Sequence, residues 1–154
     1  MLPNRMNRFP QAMHAAACIL VVSLGACGKR SVDAPPLRPM TLTPAQRSAL
    51  APLNLAGSVP MQGETRSFAL GAPCTLRVVR QQDGRVHRVD DLPLLAHSFG
   101  FIEYGDHSAF GLKAYPIKAG GSVDLIDATT RDAADSLLRS FQVLRETCRP
   151  SGPG

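Results

Sequence analysis

A short apolar run near the N-terminus sets the first limit on what this chain can fold into. Residues 15–24 carry a single polar side chain, Ser23. Arg5 and Arg8 precede the run without any acidic residue, and Leu24-Gly25-Ala26-Cys27 closes it. A membrane-spanning helix needs roughly 20 apolar residues, so the run is too short for a permanent transmembrane anchor. The part of the chain available to build a domain therefore starts at about Cys27.

A basic start, an apolar middle and small residues before a cut site are the three parts of a secretory signal. Within that signal, Leu24-Gly25-Ala26-Cys27 resembles the lipobox of bacterial lipoproteins. The resemblance covers only the N-terminal segment and identifies a class, with no family for the remainder. It implies that residues 1–26 are a signal peptide and that Cys27 becomes the acylated first residue of the mature protein. Palmitate-type chains on Cys27 would tie it to a lipid bilayer of the cell envelope. Each buried methylene contributes about 0.8 kcal/mol, so two or three acyl chains anchor firmly where one does not. Gly28 stands where an inner-membrane retention signal would carry aspartate. That implies the outer membrane, facing the periplasm, in a Gram-negative host. A cleaved signal with an unmodified Cys27 is the plainer reading, and the small residues just before the cysteine weigh against it. Initiation at Met6 would leave a more compact signal and would change nothing downstream.

The same assignment sorts the cysteines. Of Cys18, Cys27, Cys74 and Cys148, the first leaves with the signal and the second takes the lipid. Cys74 and Cys148 then remain in a compartment where disulfides persist. A bridge between them would stabilise the fold by about 4 kcal/mol on the chain-entropy account. No C-x-x-C is present and no histidine neighbours either cysteine in sequence, which argues against a redox or metal role. Lys and Arg number 17 against 12 Asp and Glu; without Arg5 and Arg8 the balance is 15 against 12. This mildly basic mature chain suits an acidic protein, an anionic lipid or a glycan as partner. Nucleic acid is not expected for an exported chain.

Residues 27–62 hold Pro35, Pro36, Pro39, Pro44, Pro52 and Pro60 and read as an extended tether. One short helix is expected inside it, with Thr43 as N-cap, Pro44 at the first helical position and Pro52 ending it. Residues 63–150 read as a compact α+β domain, and residues 151–154 as a disordered tail. The expected fold is an antiparallel β-meander of five to six strands with one C-terminal helix packed on one face. Turn signals at Asp83-Gly84, Gly105-Asp106 and Gly120-Gly121 set its registers if each is a two-residue loop. Phe101 then faces Phe110 and Phe99 faces Leu112. Leu125 pairs with Pro116 and Val123 with Lys118, while Leu76, Val78 and Val89 share an apolar face with Cys74. Residues 66–70 form a short strand on an edge. The helix spans residues 131–148, with Thr129 and Asp132 at capping-box spacing. Its stripe of Ala134, Leu137, Leu138, Phe141, Leu144 and Cys148 points Cys148 at the sheet face that carries Cys74.

No catalytic residue, metal ligand or cofactor is assigned. His97 and His107 fall at opposite ends of one strand, roughly 20 Å apart, too far to share an ion. His107 with Asp106 and Glu103 reads as a polar cluster at a hairpin tip, and His87 lies on another strand. Ser98 and Ser108 lack a nucleophile elbow. Asp90 and Asp91 point to opposite faces of a strand with no calcium-loop pattern around them. Asp124 and Asp127 read as solvent-facing residues and the approach to the helix, and no phosphate-binding glycine loop occurs. The outward face of the sheet is more informative. It carries Ile102, Tyr104, Ala109, Lys113 and Tyr115, and Gly100 and Gly111 leave it shallow. Aromatic rings beside a lysine suit a protein or a glycan. The expected function is a non-enzymatic, protein-binding or envelope-assembly accessory lipoprotein. The alternatives are an inhibitor of a cell-wall-degrading enzyme and a peptidoglycan-binding or wall-modifying protein.

Overall fold

The computed structural model describes residues 32–105 and 109–150. The signal segment, Cys27, the Asp106, His107 and Ser108 positions and the expected tail at 151–154 lie outside the described residues. The element order is α1 (Pro44–Gly57), β1 (Glu64–Gly71), β2 (Thr75–Gln82), β3 (Arg85–Pro93), β4 (His97–Glu103), β5 (Phe110–Pro116), β6 (Val123–Ala128) and α2 (Arg131–Glu146). The class is α+β. The six strands form two antiparallel sheets, β1-β2-β3 and β4-β5-β6, here called sheets A and B. The meander breaks at Pro93, where a 3-10 turn, Leu94–Ala96, buries Leu94 completely.

Residues 32–57 of the segment read as a tether belong to the packed body. Thr43 caps α1 as expected. Its hydroxyl accepts from the Gln46 backbone N–H, and the Gln46 side chain accepts from the Thr43 N–H, a reciprocal capping box. The helix does not stop at Pro52 but runs on to Gly57. Burial decides this against proline's local cost. Leu53 is fully buried just beyond Pro52. Asn54 hooks the backbone of edge strand β1, accepting from the Phe68 N–H at 2.7 Å and donating to the Phe68 carbonyl at 2.9 Å. Ahead of α1, residues 32–42 lie along sheet A as a strap. The Val32 N–H donates to the Val86 carbonyl at 3.0 Å, and the Arg38 carbonyl accepts from Ala72 at 2.9 Å. Arg77 grips Asp91 through two 2.7 Å bonds and donates a third to the Pro35 carbonyl at 2.6 Å. A proline-rich composition gives an extended chain, but it leaves the carbonyls free to accept, and sheet A uses them.

Turn chemistry and bulges set the registers. Asp83 and Gly84 both take positive φ, 53° and 72°, and make the two-residue loop between β2 and β3. An extra residue at His87 then shifts the pairing by one, so Val89 sits opposite Val79 instead of on the face of Val78. The same shift brings Leu92 opposite Leu76 on the core side. The Gly105 loop is longer than two residues. Glu103 pairs with Phe110, Phe101 with Leu112 and Phe99 with Ala114. A slip of two residues keeps every side chain on its face, and Phe101 still meets Phe110 edge-on at 5.7 Å. The Gly120-Gly121 connection is longer as well. Val123 pairs with Ala114, not Lys118, and Leu125, expected opposite Pro116, is the extra residue of a bulge. That bulge turns Leu125 and Ile126 inward together.

Helix α2 starts one residue later in its cap than expected. The hydroxyl of Thr130, not Thr129, accepts from Ala133. Ala134, Leu137, Phe141 and Leu144 are buried along its stripe. Cys148, just past its end, is bonded to Cys74 with a Cα–Cα distance of 5.8 Å. The core lies between the helix pair and the inner faces of both sheets. At its centre Phe141 is fully buried between Phe68 of sheet A, edge-on at 5.7 Å, and Phe99 of sheet B, stacked at 5.2 Å. Replacing Phe141 with alanine should lower unfolding free energy by about 3–5 kcal/mol. Urea unfolding of the oxidised chain measures this, and a loss below about 1 kcal/mol would contradict the central place given to the ring.

Candidate functional site

The inward rows of sheet A begin apolar and end charged. Along β1 and β2 the paired ranks are Leu70 with Leu76, Phe68 with Val78, Arg66 with Arg80, and Glu64 with Gln82. On β3, Arg88 continues the arginine rank. The first two ranks build the core. The last two line a cleft of about 340 Å³, whose other wall is Tyr104, Asp124 and Asp127 of sheet B.

Arg80 is the buried member of this group, 7% exposed. One of its terminal nitrogens donates to the Asp124 backbone carbonyl and so ties β2 to β6. The other lies 3.9 Å from Glu64. Its Nε faces Asp90 Oδ2 at 3.5 Å, an ion pair just too long for a hydrogen bond. Burial, and then the neighbouring Arg66 charge, weaken its hold on its proton, while Asp90 opposes them. An arginine nevertheless stays charged in a protein. Glu64 accepts from Arg66 Nε at 2.8 Å, and its other oxygen lies 2.8 Å from His87 Nε2. Burial pushes the Glu64 carboxyl up, but these partners outweigh it and hold the group below its ordinary value.

The expected face of sheet B adjoins the cleft. Ile102 lies opposite Gly111, and Lys113 and Tyr115 follow on the same side. Tyr104 leans across Gly111, where a Cβ would stand 2.6 Å from its hydroxyl, and donates to Asp127 at 3.1 Å. A side chain at Gly111 would push the Tyr104 ring aside. Burial and the Asp127 charge raise the Tyr104 hydroxyl above its usual value. Lys113 is paired with Asp124 at 2.9 Å, and that hydrogen bond lowers the Asp124 carboxyl. Of the four residues named from sequence, Tyr104 and Lys113 are thus engaged with acids of β6. Ile102 remains 37% exposed, and Tyr115 is half-buried beside Gly100.

The remaining polar residues are dispersed. His97 Nδ1 lies 2.9 Å from the Pro93 carbonyl, at the far end of β3 from His87. Asp90 faces Arg80 while Asp91 faces the strap through Arg77. Among the described residues no cluster of three His, Cys, Asp or Glu could hold a metal ion, and no helix is long and apolar enough to cross a membrane. A second concavity, about 530 Å³ and mainly apolar, lies beyond the ends of β3 and β5, where Pro93, Leu95, Pro116 and Ile117 meet His97 and Lys118.

Sequence reasoning missed Glu64, Arg66 and Arg80 as site residues. The signal was the strand alternation itself. Counting backward in twos from Leu70 and Phe68 reaches Arg66 and Glu64, and counting forward from Leu76 and Val78 reaches Arg80. Compared with protein-family models, with curated proteins and with solved structures, the chain matches none.

Three paired carboxylates make the fold sensitive to acid. Asp91 is held down by its hydrogen bonds from Arg77, Asp124 by Lys113, and Glu64 as described. Unfolded carboxylates take up protons near about pH 4, above the folded values. As pH falls through that interval the unfolded chain binds more protons, so stability present at neutral pH is lost. Urea midpoints should fall progressively below about pH 4, less steeply in Asp91→Asn. A midpoint indifferent to acid would mean that these pairs add nothing to the folded state.

Proposed function

We propose that this chain is an acylated lipoprotein of the cell envelope that acts as a non-enzymatic binding module. Its body is held close to the membrane at one end and presents an apolar groove to a partner protein at the other. The observation that carries this reading is the docking of residues 32–42 on sheet A. Only residues 28–31 separate Cys27 from Val32. A fully extended chain advances at most about 3.6 Å per residue, so Val32 lies within about 18 Å of Cys27. Val32 is bonded to Val86, beside the Asp83-Gly84 turn. That turn is therefore the end of the domain nearest an anchor on Cys27, and the proline-rich segment is not a long spacer.

From Val86, β3 runs seven residues to Pro93, a distance of about 23 Å at 3.3 Å per residue. The apolar groove lies at that far end. Leu95 is 44% exposed and Ile117 59% exposed there, an arrangement typical of surfaces that meet a partner. Lys118 lies beside them, and among the described residues no acid lines the groove. The complementary partner is a protein segment with an apolar side chain next to an acidic one. A binding role is also in keeping with the dispersed histidines and the engaged Tyr104 and Lys113.

Cys27→Ser should remove the acyl mass and release the protein from membranes; unchanged mass and retention would overturn the anchor. In the lipidated protein, a fluorophore at Asp83 should be quenched by a lipid-borne quencher and one at Ile117 should not. Arg77→Ala, which frees the strap, should weaken the quenching at Asp83. A photo-cross-linker at Ile117 in intact envelopes should give one discrete protein adduct that Leu95→Asp abolishes. Equal cross-linking from Asp83 would remove the groove from the reading.

A further inference from the structure

We infer that the outer edge of β4 takes up an extended segment of a partner protein, which joins sheet B as a fourth strand and carries an acidic residue at the end nearest Lys118. This segment belongs to the partner of the binding-module reading, on which the inference rests. A sheet edge presents unpaired N–H and C=O groups, and native proteins blunt it with charges, prolines, bulges or a cover. The two sheets have four edges, β1, β3, β4 and β6. Asn54 occupies the edge of β1 through both backbone groups of Phe68. Val32 takes the Val86 carbonyl of β3, a strand that also carries a bulge and a proline. Arg80 takes the Asp124 carbonyl of β6.

Strand β4 has none of these devices. Its sequence, His-Ser-Phe-Gly-Phe-Ile-Glu, holds no lysine, arginine or proline, and its register against β5 is unbroken. Two bonds at its ends show which backbone groups face outward. The Ala96 carbonyl accepts from the Ile117 N–H, and the Tyr104 N–H donates to the Ala109 carbonyl. Residues of an antiparallel pair alternate between bonded and non-bonded positions. Ser98, Gly100 and Ile102 therefore turn their backbone groups to β5, while Phe99 and Phe101 turn theirs outward. Among the described residues no strand pairs with that outward row. Among the six strands β4 alone lacks a buried residue, although it carries Phe99, Phe101 and Ile102. An added strand would cover their open flanks.

Charge and continuity select the occupant. Arg131 lies over the Phe101 ring at 5.8 Å, and β4 begins at the apolar groove, which His97 shares with Lys118. A strand antiparallel to β4 would bring its C-terminal end to Lys118, so that end carries the acid. Its alternate residues beside Phe99 and Phe101 are apolar, since main-chain bonds supply affinity and alternate side chains supply specificity when a strand is added to a sheet. A second copy could pair with this edge only about a two-fold axis that reverses it end for end. Its Asp83-Gly84 turn would then sit at the groove end, away from the bilayer, so the occupant is a different protein.

The probe is an end-blocked synthetic heptapeptide of alternating threonine and valine with glutamate at its C-terminal end, added to the oxidised Cys27→Ser chain. Saturating peptide should slow amide hydrogen exchange at Phe99 and Phe101 by at least about tenfold, read by NMR. Exchange at Gly100 and Ile102, already bonded to β5, should not change. The same peptide N-methylated at alternate residues on its pairing edge should give no protection, and one with lysine in place of glutamate should bind more weakly. The inference is overturned if the peptide leaves Phe99 and Phe101 unprotected, if the methylated peptide protects as well, or if both amides are already slow without peptide. Slowing that grows with protein concentration alone would assign the edge to a second copy and overturn it too. In intact envelopes a photo-cross-linker at Ile102 should capture the same protein as one at Ile117. An Ile117 adduct with none at Ile102 would overturn the edge and leave the groove standing. Peptide protection and an Ile102 adduct with none at Ile117 would keep the edge and remove the groove.

Discussion

Everything in this molecule depends on Phe141 being shared. Among the described residues no strand of sheet A hydrogen-bonds a strand of sheet B, so backbone pairing cannot hold the two together. Side chains must do so. Phe141 of α2 puts one ring against Phe68 and Phe99, one from each sheet. The Cys74–Cys148 bond fastens the end of α2, which packs chiefly on sheet B, to the β1–β2 turn of sheet A. Arg80 adds a third tie through the Asp124 carbonyl. A hydrophobic contact, a covalent bond and a charge-assisted hydrogen bond thus span one seam at three places.

The cleft follows from where that apolar contact ends. A strand cannot change which face its alternate residues occupy without a bulge. Once Phe68 and Val78 point into the core, Arg66 and Arg80 must point the same way. Beyond the reach of Phe141 the inward rows fill with charge instead. Core and cleft are two halves of one periodic pattern. This is why the deepest of the cleft arginines, Arg80, is also a structural tie.

What the sequence made legible was whatever rested on local chemistry. The α2 stripe, the Thr43 cap and the Asp83-Gly84 turn each depend on residues within a few positions of one another, and each is found in the structure. Cys74 and Cys148 were legible by a sorting argument and meet as a bond. The errors arose where one residue or one distant contact decided. A single bulge residue at His87 moved Val89 to the other face, and another at Leu125 turned two neighbours inward. The β4–β5 loop length was misjudged by two residues, an error that alternation cannot detect because it preserves the faces. The strap and the second half of α1 were hidden because Pro35 and Pro52 argue locally against packing. Their docking rests on Arg77, Asn54 and Leu53, which no window around the prolines includes.

The Cys74–Cys148 bond also divides the chain into a closed covalent ring and an open arm. With a sequence separation of 74, the ring holds β2 to β6 and α2. The strap, α1 and β1 lie outside it. A pull on the N-terminus cannot extend the ring. It is met first by the Val32–Val86 bond and the Arg77 grip, then by α1 and the β1 ladder. The fold therefore has a mechanical order, with a yielding arm at its N-terminal side and an inextensible block behind it. Tension could strip the arm while most of sheet A and all of sheet B remained confined within the ring.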